Sequence, residues 1–332
     1  MKPFRTFEEQ IDILKSRNLT FYSEEQAINN LQRYGYYEIV NGYKDPFLLD
    51  KTNEEEEDQY ETDTSFELLF DLFLFDTRLR RAVFTSMSDF ELNLRTALSY
   101  FIAKYFTSND SQYLLRENFR SGKLSTYRGK QEYEIDQLLR KLNKIKNDNV
   151  QPMKHYRRKY GNVPPWILIK GTTFGNLIKL YNLQKGNIKT EVISLMLGIP
   201  TELISNNEEL KNLFGDLLRL FLKYRNRSAH GGRIYNYVPE KTKIRYSSFF
   251  HEKMNINQAE YRTGQGQYGI RVLLGGLSLF KNQEAFKHLY SVLSNESKSL
   301  NKKYPGFMET LSDQMKMDLS ILIEVDHQDG KY

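Results

Sequence analysis

Apolar side chains recur at intervals of three, four or seven positions through most of the chain, the spacing that is typical of amphipathic helices. The longest such region runs from Thr64 to Phe106 and contains neither proline nor glycine. It predicts helix in two segments that meet near Asp76. A second strong region, from Asn206 to His230, is followed by the helix-stopping pair Gly231-Gly232. No alternation of strand and helix patterns is visible, so the sequence predicts an all-α fold.

Two capping boxes mark helix starts near the N-terminus. Thr6 is followed three residues later by Glu9, and Ser23 is followed in the same way by Gln26. Gly35 then ends the second of these helices. Other periodic regions predict further helices over Gln131–Lys146, Phe174–Leu183, Lys189–Leu197, Gln283–Tyr304 and Glu309–Glu324.

Three stretches lack a helical period. The aromatic stretch Tyr36–Leu49 predicts either a packed irregular segment or a short hairpin. Seven of the ten residues from Glu54 to Asp63 are acidic, which predicts a solvated loop; the alternative is a strip that mimics RNA and inhibits the protein. The prolines from Pro152 to Pro165 predict a third loop, which carries the only tryptophan, Trp166.

Composition excludes several classes of protein. The 332-residue chain contains no cysteine, which excludes disulfide frameworks, thiolate zinc sites, iron–sulfur centres and cysteine nucleophiles. Its most apolar stretch, Phe66 to Phe75, is shorter than the ~20 residues of a membrane span, and its first residues lack the apolar core of a secretory signal. We therefore expect a cytoplasmic protein with no membrane partner. The net charge of +6 permits a nucleic-acid partner without requiring one.

Motifs for common cofactors are weak or missing. None of the five histidines lies in an H-E-x-x-H pattern or beside an acidic cluster, so we expect no metal site. The stretch Gly264–Gly269 matches G-x-G-x-x-G, but the polar residues before it do not form a buried strand. It predicts a surface turn rather than a dinucleotide site, and we expect no cofactor.

One polar segment at the end of the strongest amphipathic helix concentrates groups that suit RNA chemistry. It contains Arg225, Asn226 and His230, and the spacing of four predicts that Asn226 and His230 share one helical face. Arginine is the fork-shaped donor suited to phosphate oxygens, and histidine titrates near neutrality and moves protons. The plainer alternative is a helix C-cap whose basic residues interact with the helix dipole.

The residues around this segment resemble the HEPN nuclease signature of bacterial Abi-like proteins, the abortive-infection AbiD/AbiF group. The signature is Arg225-Asn226 and Ala229-His230 followed by Arg233 to Asn236, with Gly231-Gly232 where the family often has another histidine or a polar residue. The similarity extends over about residues 5 to 280, through motifs that lie in Leu31–Phe47, Phe90–Arg95, Pro165-Trp166 and Thr173-Phe174-Gly175.

The resemblance implies an all-α, HEPN-like helical bundle with added N-terminal and C-terminal helices, and a metal-independent ribonuclease that acts through the RNA 2′-hydroxyl. The implied catalytic residues are Arg225, Asn226 and His230, and the supporting ones are Glu91, Arg95, Arg233 and Asn236. Because the family site is built from two units and this chain has one R-x-x-x-x-H motif, a homodimer is implied. An antitoxin is a further partner that the resemblance allows. The alternative to an enzyme is a module that holds a noncoding RNA or a partner, with cleavage vestigial or conditional.

We divide the chain into an N-terminal helical and aromatic extension, 1–60, and a HEPN-like helical domain, 64–325, with a basic insertion around 140–166. Aromatic side chains are interleaved with the basic residues of this insertion, a mixture that suits a phosphate backbone and unstacked bases. The alternative is a solvated helix face and loop. The predicted RNA-binding residues are Arg140, Lys141, Lys144, Lys154, Arg157, Arg158 and Lys159.

Overall fold

Helices dominate the computed structural model, which describes residues 3–51, 53, 56–127 and 129–323. The all-α prediction is confirmed. In chain order the helices are α1 (Phe7–Ser16), α2 (Glu24–Tyr34), α3 (Phe66–Phe106), α4 (Asp110–Tyr113), α5 (Glu134–Lys146), α6 (Met153–Tyr160), α7 (Pro165–Leu168), α8 (Phe174–Asn182), α9 (Gly186–Leu197), α10 (Thr201–Ser205), α11 (Glu208–Ala229), α12 (Ser248–His251), α13 (Gln258–Arg262), α14 (Ile270–Ser278), α15 (Glu284–Lys303), α16 (Met308–Met315) and α17 (Ser320–Ile323). A small antiparallel hairpin, which the sequence did not predict, pairs β1 (Leu124–Tyr127) with β2 (Lys130–Tyr133).

Local signals in the sequence set the two N-terminal helices. At the start of α1, the backbone N–H of Glu9 donates to Thr6 Oγ1 at 3.2 Å, and the N–H of Thr6 donates to the Glu9 carboxylate at 2.8 Å. Ser23 caps α2 by accepting a hydrogen bond from the backbone N–H of Gln26 at 3.3 Å. Gly35 follows α2 with φ of +85°, a conformation that glycine adopts without steric cost. Both predicted starts and the predicted end are confirmed. The second capping box is incomplete, because the backbone N–H of Ser23 donates to Glu67 Oε1 at 3.3 Å and not to Gln26.

The chain divides into two compact units. The first comprises residues up to Val83, Arg227–Tyr237 and the residues from Leu289 onward. The second comprises Phe84–Asn226 and Val238–His288. Each unit therefore combines segments that are distant in sequence, and the boundaries fall inside α3, α11 and α15.

Aromatic side chains form much of the core of the first unit. The ring of Phe73 contacts Tyr34 and Tyr43, with centroids 5.1 and 5.7 Å apart. Tyr235 stacks on Tyr43 at 6.0 Å. The stretch 36–49, which supplies Tyr43, forms a π turn followed by a 3-10 turn. It is thus a packed irregular segment, and the alternative of a hairpin is wrong.

The acidic run Glu54–Asp63 is only in part the solvated loop that the sequence predicts. Its first two residues lie outside the described residues. Asp58 is half-buried and pairs with the ammonium groups of Lys44 and Lys51. Hydrogen bonds from these two lysines lower the pKa of the Asp58 carboxyl to about 2. Tyr60 is buried, so the loop is fixed to the first unit by one charged and one aromatic side chain.

A single helix of 41 residues, α3, occupies the longest periodic region. The prediction of two segments meeting near Asp76 is therefore wrong. No proline or glycine interrupts the backbone hydrogen bonds of this region. The side chain of Asp76 is fully buried and bonds to other parts of the first unit, so its polarity within an apolar stripe reflects tertiary contacts and not a helix end.

Phe90 of α3 is central to the core of the second unit. Its ring centroid lies 4.8 Å from those of Phe221 in α11 and Phe280. Gly276 allows α14 to approach α11 closely, since a Cβ at this position would lie 2.5 Å from Cδ2 of Leu217. The aromatic contacts and this close approach fix α3, α11 and α14 together within the unit.

Three further predicted boundaries are wrong, whereas α8, α9 and α15 confirm their predictions. The helix predicted over Gln131–Lys146 begins only at Glu134, because the residues before it pair as β2. The loop predicted from Pro152 to Pro165 contains α6, since a proline fits just before the first turn of a helix. The single helix predicted over Glu309–Glu324 is split into α16 and α17, and Glu324 lies outside the described residues.

Candidate functional site

The C-terminus of α11 carries the predicted motif, and the helix ends one residue before His230. Gly231 has φ of +74°, and its N–H donates to the carbonyl of Ser228 at 3.3 Å. The N–H of Gly232 donates to the carbonyl of Arg227 at 3.0 Å. These two bonds form a Schellman motif, which fixes the backbone of His230 as the helix cap. The side chain of His230 is exposed.

Two residues of α3 hold the segment that follows His230. The Arg80 guanidinium donates to the carbonyl of Gly231 at 2.7 Å. Asp76 Oδ1 accepts the backbone N–H groups of Ile234 and Tyr235 at 2.8 and 2.7 Å. The segment is thus fixed at three points to α3, all within the first unit.

The other oxygen of the Asp76 carboxylate contacts Tyr43 and Arg80. This oxygen, Oδ2, accepts the hydroxyl of Tyr43 at 2.7 Å and lies 3.9 Å from Arg80 Nη1. Burial raises the pKa of Asp76 above its ordinary value, and the hydrogen bonds oppose that rise. Burial and the adjacent carboxylate raise the pKa of Tyr43 well above 10. Sequence reasoning missed this role of Asp76, although an acidic residue within the apolar stripe of α3 was an available signal.

Two of the predicted supporting residues contact other parts of the first unit. Arg233 donates a hydrogen bond to the carbonyl of Gly42, and its Nη1 lies 3.5 Å from Asp45 Oδ2. The Nδ2 of Asn236 donates to Gln314 Oε1 at 3.3 Å. Both side chains therefore anchor the segment that follows His230.

Arg225 lies in the second unit, beside a buried carboxylate. Its Nε is 3.9 Å from Glu91 Oε2, and its guanidinium carbon is 5.8 Å from the centroid of the Phe84 ring. The side chain of Glu91 is 9% exposed and that of Arg225 is 31% exposed. The guanidinium is therefore positioned by a buried anion while part of its surface remains accessible to solvent.

Glu91 is itself held by Arg95, one turn further along α3. Arg95 Nε donates to Glu91 Oε1 at 3.2 Å. The same guanidinium donates to the carbonyls of Ile169 at 2.5 Å, Lys170 at 3.0 Å and Thr172 at 2.6 Å. These bonds tie the Glu91–Arg95 pair to the turn between α7 and α8, so the position of Glu91 is fixed from both sides.

The boundary between the two units falls inside the motif, between Asn226 and Arg227. Arg225 and Asn226 belong to the second unit, and His230 belongs to the first. Asn226 is exposed, as is His230. Each part of the motif thus presents a polar side chain to solvent.

Two of the predicted RNA-binding arginines make contacts within the protein. Both Nη atoms of Arg140 bond the carboxylate of Glu132, at 2.8 and 2.9 Å. Arg157 donates to the carbonyls of Lys146 and, at 2.7 Å, Asp148. Arg140 therefore joins α5 to β2, and Arg157 joins α6 to the end of α5.

A cluster of cations and aromatic rings remains on α5 and α6. On α6, the rings of His155, Tyr156 and Tyr160 lie with centroids 5.3 to 6.0 Å apart. The ammonium of Lys159 is 5.3 Å from the centroid of Tyr160. In the part of the chain that the structure describes, five predicted RNA-binding residues have neither an ion-pair partner nor a side-chain hydrogen bond: Lys141, Lys144, Lys154, Arg158 and Lys159.

Comparison with known families matches residues 29–236, more than half of the chain, to the family described as Abi-like protein. The chain belongs to the Abi-like family. Neither the curated proteins nor the solved structures gave a match. In this Abi-like protein the matched region is shorter than the predicted span of 5 to 280. It runs from α2 to Asn236 and so includes Arg225, Asn226 and His230. Family membership supports an abortive-infection role.

Three other features of the Abi-like protein concern alternatives raised by the sequence. Among the described residues, no group of three or more histidine or acidic side chains is arranged to hold a metal ion. The G-x-G-x-x-G stretch follows the short helix α13, and the carbonyl of Gly266 lies 3.1 Å from Nε2 of the buried His251. Across the residues that are described, no helix combines the length and apolar character needed to cross a membrane.

Proposed function

We propose that this Abi-like protein is a bacterial anti-phage endoribonuclease of the HEPN type. In this proposal it cleaves RNA through the 2′-hydroxyl without a metal ion, and it acts in the cytoplasm, where its RNA substrates are found. Family membership supports the abortive-infection role. The assignment of ribonuclease activity rests on the residues at the end of α11.

The observation that carries the proposal is the placement of Arg225 beside buried Glu91, with Nε 3.9 Å from Oε2. A helix cap needs no buried carboxylate at this position, whereas a catalytic guanidinium must be held in a fixed orientation. Attack by the 2′-hydroxyl builds negative charge on the non-bridging phosphate oxygens. Arg225 stabilises that charge through its N–H donors, and exposed Asn226 contributes a neutral hydrogen bond.

His230 moves the proton in this scheme. It acts as the acid for the 5′-oxygen leaving group or as the base for the 2′-hydroxyl. The Schellman cap at Gly231 and the bond from Arg80 to the Gly231 carbonyl fix the backbone around His230, while the His230 imidazole stays exposed. The expected products are a 2′,3′-cyclic phosphate and a 5′-hydroxyl.

The proposal includes assembly as a homodimer. The chain has one R-x-x-x-x-H motif, and a site that uses two copies of the motif needs a second chain. An antitoxin partner that restrains the enzyme is compatible with this arrangement. Cleavage by a chain that light scattering shows to be monomeric would contradict the dimeric site.

A second candidate function is RNA binding without cleavage. The observation that favours it is the cluster on α6, where Lys159 and the rings of Tyr156 and Tyr160 lie together. Cations track a phosphate backbone and aromatic rings stack on unpaired bases. Such a surface would hold a noncoding RNA whether or not the motif on α11 reacts.

One experiment separates the two functions. Cleavage and binding of a labelled RNA are measured for the wild type, His230→Ala, Arg225→Ala and, as a matched control, the exposed His288→Ala. We expect His230→Ala to lose a hundredfold or more in rate, on the order expected for an acid–base group, with binding retained. Arg225→Ala should lose rate and some affinity, and His288→Ala should change neither. EDTA should have no effect, and DNA should not be cut.

The results that contradict the proposal are equally specific. Cleavage that persists in folded His230→Ala, or that requires added magnesium, refutes the mechanism. RNA binding without cleavage by the wild type favours the second function. If His230 is only a helix cap, its replacement should cost at most about 1 kcal/mol of stability and leave activity unchanged.

A further inference from the structure

A cleft of about 710 Å³ lies in the second unit, away from the α11 C-terminus. Its wall includes the first turn of α9, the ends of α10 and the first turns of α11, together with Tyr105 and Arg120. This volume falls in the range of small-molecule sites, which is roughly 300 to 1,000 Å³. The cleft is therefore large enough for a nucleotide.

Some of the charges in the cleft are already compensated. The ammonium of Lys211 donates to Glu208 Oε1 and to the carbonyl of Ser205, both at 2.7 Å. Glu191 pairs with Lys104 at 3.3 Å and accepts the hydroxyl of Tyr105 at 3.0 Å. The carboxylates that line the cleft thus have cations of their own.

Two other cations in the cleft have no such partner. In the described residues, neither Arg120 nor Lys189 has a carboxylate within ion-pair distance. The ammonium of half-buried Lys189 lies 5.5 Å from the centroid of the Tyr181 ring. The cleft therefore carries an excess of positive charge that the protein itself does not neutralise.

The electrostatic environment of Lys189 is consistent with this excess of positive charge. Burial lowers the pKa of its ammonium, the charge of Arg120 lowers it further, and Glu208 opposes the shift only in part. Two like charges held together beside buried surface are unfavourable unless an anion joins them. The hydroxyl of Thr190, with the backbone N–H groups at the start of α9, offers additional donors to such an anion.

We propose that this cleft binds the phosphate group of a nucleotide, with Arg120 and Lys189 as its charged contacts. Arginine offers paired donors that match phosphate oxygens, and lysine adds a compact charge. The phosphate belongs either to a free mononucleotide or to an RNA chain, since both present the same group. The proposal concerns binding alone and does not rest on cleavage by the motif on α11.

The experiment measures binding by calorimetry to four probes. AMP and adenosine test whether the phosphate is required, and a 2′-O-methyl tetranucleotide with or without a 5′-phosphate tests the RNA source. The 2′-O-methyl groups block attack by the 2′-oxygen, so a failure of the proposed cleavage cannot affect the result. Lys189→Gln and Arg120→Gln remove the two cations. Lys179→Gln is the control, because Lys179 is an exposed lysine of neighbouring α8 outside the cleft.

We expect at least one phosphorylated probe to bind the wild type, with AMP favoured over adenosine if the source is a free nucleotide. Either cleft variant should weaken that binding about tenfold to a hundredfold, the range for loss of a hydrogen bond to a charged group. Lys179→Gln should change it less than about twofold. Lys189→Gln should also keep or raise the unfolding temperature, since it removes an uncompensated charge. If Lys189→Gln does not fold, Arg120→Gln still tests the proposal, because Arg120 is exposed.

Three outcomes would overturn the proposal. The first is that neither AMP nor either tetranucleotide binds. The second is that adenosine binds as tightly as AMP while the 5′-phosphate and the internal phosphates of the tetranucleotide add nothing. The third is that folded Lys189→Gln and Arg120→Gln bind as the wild type does, which would place the ligand elsewhere.

Discussion

Replacement of Asp76 offers a direct test of how the segment after His230 is held. Asp76→Ala leaves the backbone N–H groups of Ile234 and Tyr235 without their acceptor, together with the hydroxyl of Tyr43. Each unsatisfied buried group costs about 1 to 3 kcal/mol. The loss of a poorly solvated charge offsets part of this total, so we expect Asp76→Ala to lower the free energy of unfolding by about 3 kcal/mol.

Asp76→Asn should be much milder, because both backbone N–H groups donate to Oδ1 of Asp76. Asparagine keeps that oxygen. Its amide nitrogen takes the place of Oδ2 and donates to the oxygen of Tyr43, which then acts as the acceptor. We expect a change of at most about 1 kcal/mol at neutral pH, because the hydrogen bonds become weaker neutral ones while a poorly solvated charge is removed.

The pH dependence provides a second readout. Burial raises the pKa of Asp76 from 3.8, so the folded protein holds this proton more tightly than the unfolded chain does. The resulting stability is present below 3.8 and is lost as the pH rises through the folded-state pKa. Asparagine does not titrate. The unfolding free energy of the wild type minus that of Asp76→Asn should therefore fall as the pH rises.

The assay is urea unfolding followed by far-UV circular dichroism, from pH 4 upward. Circular dichroism is preferable to tryptophan fluorescence, because the only tryptophan, Trp166, lies in the second unit. The reasoning is refuted if Asp76→Asn is as damaging as Asp76→Ala. It is also refuted if the unfolding free energy of the wild type minus that of Asp76→Asn rises with pH.

Two further predictions concern the helix cap and the basic surface. Gly231→Ala should lower the unfolding free energy by about 1 to 2 kcal/mol, because φ at this position is +74°. Gly215→Ala, inside α11, should raise it by a few tenths to about 1 kcal/mol. Shifts of the unfolding temperature in the same direction for both substitutions would contradict the role of Gly231 in the helix cap. If exposed Arg158 and Lys159 contact phosphates, replacing both with glutamine should reduce the slope of log affinity against log salt by about 1.4 for single-stranded RNA. Arg157→Gln should instead lower thermal stability, and a filter-binding titration that shows an unchanged slope for the double variant would assign this surface to solvent.

Local sequence patterns were sufficient to predict those features whose determining contacts lie within a few residues of each other. The reciprocal bonds of Thr6 and Glu9 span one turn, and Gly231 stops α11 through bonds to its own last turn. Both features were predicted from spacing alone. The motif around Arg225 was likewise visible, because its residues are adjacent in sequence.

Long-range contacts explain most of what was missed. The sequence pattern predicts a helix break near Asp76, but the Asp76 carboxylate bonds to Tyr235, 159 positions away. Arg140 and Arg157 were grouped with the RNA-binding residues, and only the fold shows that Glu132 and the end of α5 already bond them. Short polar strands such as β1 and β2 have no apolar alternation that a sequence pattern could detect.

The contacts around the motif provide evidence that its spacing alone does not. An arginine and a histidine five positions apart occur by chance in chains of this size, so the spacing alone is weak evidence. A buried carboxylate is different, because it costs several kcal/mol unless it is paired and hydrogen-bonded. In this chain α3 supplies two of them. Glu91 lies beside Arg225, and Asp76 holds the backbone that follows His230. A fold that needed only a helix cap would require neither, so the two carboxylates favour a motif whose side chains must be held in place.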